Sequence, residues 1–254
     1  YDKVGLYDTV RSVVGGNSAV AITGAWQSVD DIQSHMLNFL ENHDEQRIAS
    51  DFFAGNAEKG KPALLVSALM NTNPMMIYFG QELGEKGMDA EGFSGLDGRT
   101  TIFDYWTIDL IRRWRNGNKF DGALLSEEEK KLQKYYSKVL NICNSEKAIR
   151  EGSFFDIMYV NRGEGMNEHR QYAFLRKLDK DLIVVVVNFA DEPARSWVKI
   201  PAHAFDCLGM PSEEKERECK DLLTGKTEKK MLVPDGTLYV ELPANGGKVL
   251  KFKL

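Results

Sequence analysis

The chain lacks most of the features by which a sequence of this size declares its chemistry. Positive charge is not in excess: 33 Lys and Arg stand against 38 Asp and Glu, a formal net charge of −5, so nothing draws in nucleic acid and no such partner is expected. No apolar run approaches the ~20 residues a membrane-crossing helix needs. Cysteine is scarce. Cys143, Cys207 and Cys219 are odd in number and show no CxxC spacing, which argues against a disulfide framework or a structural zinc site. Three separate thiols are favoured over a single Cys207–Cys219 disulfide. The four histidines, His35, His43, His169 and His203, show no HExxH or comparable ligand spacing, and His35, His169 and His203 read as ordinary histidines. A nucleophile elbow is missing, since GFSG (92–95) lacks the intervening residue, and so is a GxGxxG loop. GNAEKGKP (55–62) imitates a phosphate loop as far as Lys61. The next residue should carry a hydroxyl for Mg²⁺ and is Pro62, which also removes a backbone N–H from the cradle.

The first ten residues, YDKVGLYDTV, start with Tyr and contain neither the charged region nor the apolar core of a signal peptide. The chain therefore reads as a fragment or a processed product, and secreted, periplasmic and cytoplasmic locations all stay open.

What is present is an ordinary globular composition, 43% hydrophobic and 28% charged over 254 residues, enough for a substantial core in one or two domains. Residues 1–150 alternate short apolar runs with helical stretches. MLNFL (36–40) and PMMIYFG (74–80) read as buried strands, and KPALLVSALM (61–70) between them reads as a helix with Pro62 in its first turn. Strand, helix, strand in this order predicts a βαβ unit with parallel strands. SEEEKKLQKYYSKVLNIC (126–143) is the clearest helix, opened by a capping box of Ser126 and Glu129 and apolar on one face.

From about 151 the period changes to two. QYAFLRKL (171–178) and LIVVVVNF (182–189) flank LDKD, a hairpin turn by composition, and TLYVEL (237–242) and KVLKFKL (248–254) flank PANGG, read as a second hairpin loop. SEEKEREC (212–219) reads as a solvated loop or exposed helix. The expected fold class is α/β plus β: an α/β unit over 1–150 and an antiparallel β-sandwich over 151–254.

FLENHDEQR (39–47) stands out because it runs from apolar residues into a packed polar cluster. Such residues are common in loops, but these sit at the carboxyl end of a parallel-type strand, where α/β folds place ligands. The second strand also ends in polar residues, GQELGE (80–85), so both strand ends are expected to deliver side chains to one face. On physics alone, site and polar loop are balanced.

FLENHD and NPMMIYFGQELG (73–84) resemble two segments of the α-amylase family of glycoside hydrolases: an Asn-His-Asp after barrel strand seven, and the strand-eight segment with its Gly-Gln-Glu. The resemblance implies the C-terminal part of a (β/α)8 TIM-type barrel (about strands six to eight, with YDKVGLYDTV near strand six) followed by the family's domain C. It implies that Asp44 is the transition-state stabiliser, a carboxylate gripping sugar hydroxyls as the ring flattens toward an oxocarbenium ion. His43 and Asn42 would contact substrate, and Arg47 would orient the cluster or line an outer subsite. Glu82 would be structural.

The carboxylate nucleophile and general acid of a retaining glycosidase, ~5–5.5 Å apart, have no counterpart in the chain. The expected function is thus the C-terminal portion of a retaining α-glucan hydrolase acting on α-1,4-glucosidic bonds of starch-like substrates. Its substrate would be an α-glucan or maltooligosaccharide, and it would be inactive without its upstream half. Transglycosylases and α-glucoside isomerases of the same family, or a non-catalytic relic that binds carbohydrate or a partner protein, are the alternatives. Calcium, common in the family, would belong to the upstream half, so no metal or cofactor site is expected here. Trp26, Tyr78 and Trp106 could stack on sugars, with core packing the favoured role.

Overall fold

The computed structural model of the chain describes residues 1–89, 96–103, 108–163 and 165–254; GFSG (92–95) and Trp106 lie outside them. The chain enters as helix. A π-helical turn at Lys3–Tyr7 runs into α1 (Asp8–Val14), and the Asp2 carboxylate accepts from the Leu6 amide at 2.8 Å. Leu6, Val10 and Val13 recur at helical spacing and are buried, so the period that governs this segment is 3.6. This corrects the expectation of a strand near YDKVGLYDTV. Among the described residues two parallel strands are present, β1 (Asn38–Phe39) and β2 (Met75–Met76), with Asn38 opposite Met75 and Phe39 opposite Met76.

Both strands are shorter than the apolar runs around them. Side chains hold the flanks instead: Asn38 Nδ2 donates to the Ser67 carbonyl at 2.8 Å, and the Tyr78 amide donates to Gln81 Oε1 at 3.2 Å. After α2 (Ala21–Gln27) and β1, α3 (Lys61–Leu69) crosses to β2 with every residue from Pro62 to Leu69 buried. A helix apolar all round belongs inside a core, and α3 packs on β1 and on the sheet described below. Next come α4 (Asp109–Arg115), α5 (Glu127–Ser145) and α6 (Lys147–Arg150). The capping box of α5 is formed: the Glu129 amide donates to Ser126 Oγ at 3.2 Å and the Ser126 amide to Glu129 Oε2 at 2.7 Å.

The rest is antiparallel. The strands are β3 (Ser153–Asp156), β4 (Gln171–Leu178), β5 (Asp181–Asn188), β6 (Ala194–Lys199), β7 (Lys215–Asp221), β8 (Thr227–Leu232), β9 (Thr237–Leu242) and β10 (Gly246–Lys253), with α7 (Ala202–Cys207) between β6 and β7. They form one sheet in the order β3-β4-β5-β10-β7-β8 and a second, β6-β9. The LDKD hairpin is present, with Leu178 opposite Asp181 and Asp179 at φ 49°.

Two expectations are corrected. Most of SEEKEREC is strand: β7 turns Arg217, Cys219 and Asp221 inward, a period of two hidden because both of its faces carry charge. The inward Asp221 carboxylate is satisfied by Lys248 Nζ at 2.8 Å. PANGG is not a hairpin loop, because β9 pairs with β6 while β10 pairs with β5 and β7. Pro, Asn and Gly suit any tight reversal, and the buried faces choose the partner strand.

One core runs through both halves, joining Leu64, Leu65 and Val66 of α3 to Val184–Val187 of β5, Val249 of β10, Val198 of β6 and Val240 of β9. Gly247 permits the closest approach: a Cβ there would lie 2.5 Å from the Val186 carbonyl oxygen and 2.8 Å from Leu65 Cδ1. Buried Arg176 of β4 ties the same junction by donating to the carbonyls of Met70, Ala148, Ile149 and Gly152. Burial lowers its guanidinium to about 10. The three cysteines are separate free thiols. Among the described residues no helix is long and apolar enough to cross a membrane.

Candidate active site

The polypeptide leaves β1 at Phe39 still buried, through Leu40 and Glu41. It then bends sharply, because Asn42 Oδ1 accepts from the amides of both Asp44 (2.8 Å) and Glu45 (3.0 Å). Asn42 thus spends its side-chain oxygen on the loop itself. The bend carries His43 and Asp44 out at the tip, with His43 Nε2 3.4 Å from Asp44 Oδ2 and the two side chains 40% and 69% exposed. An imidazole and a carboxylate held side by side offer a donor and a multiple acceptor to vicinal hydroxyls.

Arg47 is placed beneath the tip rather than on it. Its side chain has no exposure, and Nη1 donates to Glu41 Oε2 at 2.7 Å, Nε to Thr100 Oγ1 at 2.5 Å and Nη2 to the Phe79 carbonyl at 2.9 Å. Its guanidinium carbon lies 4.3 Å from the centre of the Tyr78 ring, and its backbone amide donates to the Gly98 carbonyl at 2.7 Å. Of the two roles open to Arg47, its burial fits orienting the cluster and not lining an outer subsite. Glu41, which sequence reasoning missed, is its counterpart, buried and also accepting from the Ile48 amide at 2.7 Å. Burial pushes the Glu41 carboxyl up, and Arg47 pulls against that shift. The signal for the pair was an acid followed six residues later by Arg across a predicted strand end, too common a spacing to act on.

The flanking acid and amide of the motif turn toward α1. Tyr7 stacks on Phe39, with ring centroids 4.5 Å apart, and its hydroxyl donates to Glu45 Oε2 at 3.1 Å. Lys3 Nζ sits 3.1 Å from Glu45 Oε1, and Arg11 Nη2 donates to Gln46 Oε1 at 2.7 Å. Burial raises the Tyr7 phenol well above its ordinary value, so it stays a donor.

The second strand end does not join the site as expected. Gly80, at φ 78°, redirects the chain, and Gln81 is buried with Nε2 donating to the Tyr136 hydroxyl at 3.2 Å. Burial raises the Glu82 carboxyl. Glu85 is buried and accepts from the Gly87 amide at 2.8 Å. The two strands communicate instead through Arg47. Tyr78 packs beneath Arg47 with its hydroxyl on the Thr100 carbonyl at 2.8 Å, and burial moves that phenol to about 12. Trp26 lies elsewhere, against Phe154 and Asp156. Among the described residues no group of three or more His, Cys, Asp or Glu side chains is arranged to hold a metal.

Parallel strands with a His–Asp pair beyond their carboxyl end, followed by antiparallel sheets, make the described residues an α/β unit followed by a β region. The family model described as "Alpha amylase, catalytic domain" matches residues 17–153, more than half of the chain. The chain belongs to the α-amylase family. It is similar to the α-amylase MalA of Haloarcula japonica, 26% identical over 201 residues that make up 77% of this chain and 24% of that protein. Among solved structures it is similar to an Anoxybacillus α-amylase (TM-score 0.65, 16% identity, 98% of this chain and 46% of that one). Another is a variant of AmyP in complex with maltotriose (TM-score 0.66, 20% identity, 99% and 49%). The chain thus spans about a quarter of the curated relative and about half of these structures.

Proposed function

We propose that this chain is the C-terminal portion of a retaining α-glucan hydrolase: the last parallel strands of a (β/α)8 barrel over 1–150, followed by a β-sandwich over 151–254. In this reading Asp44 stabilises the transition state at the sugar undergoing cleavage. The observation that carries it is the mounting of His43 and Asp44. Both are exposed at the strand's carboxyl end, on a loop whose base is a buried Arg47–Glu41 pair.

A rigid carboxylate presented this way strengthens its grip on sugar hydroxyls as positive charge develops on the ring, which lowers the barrier without bond-making of its own. His43 donates to a hydroxyl of the same sugar. Asn42 acts through the turn it builds and Arg47 through Glu41. The nucleophile and the general acid come from upstream strands, so this chain binds but does not cleave. The two parallel strands among the described residues leave a barrel open, which supports the need for the upstream half. The test is to assay the 254-residue chain, and the full-length protein, on starch and maltooligosaccharides. Turnover by the full-length protein alone is expected, and robust hydrolysis by the short chain would overturn the proposal.

A further inference from the structure

The turn that carries Asp44 stands on two feet. Arg47 on Glu41 is the inner one. The outer one is Glu45, directly after Asp44, whose side chain reaches the helical segment that opens the chain. Both of its carboxylate oxygens are gripped there: Oε2 accepts from the Tyr7 hydroxyl at 3.1 Å, and Oε1 lies 3.1 Å from Lys3 Nζ. A carboxylate held at both oxygens by one segment fixes the backbone that bears it.

The grip is itself braced. The Tyr7 hydroxyl that donates to Glu45 accepts from Arg11 Nη1 at 3.3 Å, and Arg11 Nη2 donates to Gln46 Oε1 at 2.7 Å. The Arg11 guanidinium carbon lies 4.0 Å from the centre of the Phe53 ring. Lys3 Nζ also meets Asp8 Oδ1 at 2.6 Å. Tyr7 is 2% exposed and its ring stacks on Phe39 of β1, so the strand that leads to the tip helps to aim the hydroxyl. Burial keeps the phenol protonated and therefore a donor.

Asp44 has little else to hold it. Its side chain is 69% exposed, and among the described residues the hydrogen-bonding side chain set against its carboxylate is His43, at 3.4 Å. Where the carboxylate stands is decided by the backbone on either side, the Asn42 turn before it and Glu45 after it. A group that stabilises developing charge loses much of its effect when displaced by about 1 Å.

We infer that Tyr7 and Glu45 are positioning residues for Asp44, acting through the hydrogen bond that ties the tip to the opening helix. The inference rests on the reading of Asp44 as transition-state stabiliser and extends it to residues that touch no sugar. Measurement of kcat and KM for the full-length protein on a maltooligosaccharide, with Asp44→Asn as the control, tests it. Tyr7→Phe removes the hydroxyl and keeps the ring on Phe39. It is expected to lower kcat about fivefold to tenfold with KM within about twofold of the parent, because a displaced carboxylate loses its hold on the transition state before its hold on the ground state. Glu45→Ala should fall at least as far. Glu45→Gln keeps an acceptor for the hydroxyl and should recover most of that loss. The double variant Tyr7→Phe/Glu45→Ala should be no slower than Glu45→Ala alone.

A normal kcat in Asp44→Asn overturns the proposed function and this inference with it. A slow Asp44→Asn beside parental kcat in Tyr7→Phe and Glu45→Ala overturns this inference alone. Losses that multiply in the double variant break the link between the two residues and overturn it as well. So does a fall in kcat that vanishes when each variant is assayed well below its Tm, which marks loss of folded enzyme rather than of position.

Discussion

Replacing Arg47 by Met removes a cation from a place with no access to water and keeps most of its volume. Three side-chain hydrogen bonds disappear, to Glu41, Thr100 and the Phe79 carbonyl, together with the stacking on Tyr78. The dominant cost is Glu41, left as a buried carboxylate held by the Ile48 amide at 2.7 Å.

Breaking one side of a buried ion pair costs about 3–5 kcal/mol. For a chain of this size that corresponds to roughly 6–20 °C in Tm. Glu41 is already pushed up by burial, and loss of Arg47 pushes it further. The folded variant therefore binds a proton more tightly than the unfolded chain does. Its stability relative to the parent recovers as pH falls through that raised value, and the deficit is fully expressed above it. Adding Glu41→Gln removes the stranded charge and should restore much of the loss at neutral pH.

Urea unfolding of the parent, the single variant and the double variant at several pH values measures all of this. A loss below about 1 kcal/mol in Arg47→Met, or a double variant no more stable than the single, would refute the reasoning.

Three further outcomes follow from the same structure. Gly247→Ala places a methyl 2.5 Å from the Val186 carbonyl oxygen and should cost about 1–3 kcal/mol, read as a lower urea midpoint with an unchanged slope. Arg113 grips both oxygens of Glu129 at 2.7 Å, and that hydrogen bonding holds the Glu129 carboxyl below its ordinary range. The lowered folded pKa means its stabilisation is present above the unfolded pKa and is lost as pH falls through the folded one. Glu129→Gln should thus cost up to about 1 kcal/mol at pH 7 and almost nothing in acid, as thermal melts across pH will show. Asn42→Ala removes the acceptor for two amides at the tip, so amide hydrogen exchange at Asp44 and Glu45 should quicken while the global unfolding midpoint moves little.

Local signals were the ones legible in the sequence. The α5 capping box lies within four residues, the α3 helix announces itself by Pro62 and an unbroken apolar run, and the β4–β5 hairpin turns on two residues. The candidate site was legible where it is local too: Asn42, His43 and Asp44 form one turn at a strand end. What failed depended on distant partners. The choice between the two roles of Arg47 was not legible because its bonds to Phe79 and Thr100 reach 32 and 53 residues along the chain. Gln81 and Glu85 looked exposed because the helix that covers Gln81, carrying Tyr136, arrives 55 residues later. Strand β7 was hidden because its inward positions include the charged residues Arg217 and Asp221, the latter paired with Lys248 from a strand that arrives 27 residues later. The opening helix departs from the family pattern and follows the helical spacing of Leu6, Val10 and Val13.

The central claim is that Asp44 stabilises a sugar transition state from the tip that Arg47 and Glu41 hold. The most direct measurement is kcat of the full-length protein on a maltooligosaccharide with Asp44→Asn. Asn keeps the size of the side chain, removes its charge and turns one acceptor oxygen into an NH2 donor. The account predicts a fall in kcat of about 100-fold or more with the folded structure and Tm unchanged. A substituted enzyme that keeps near-parental kcat would contradict it.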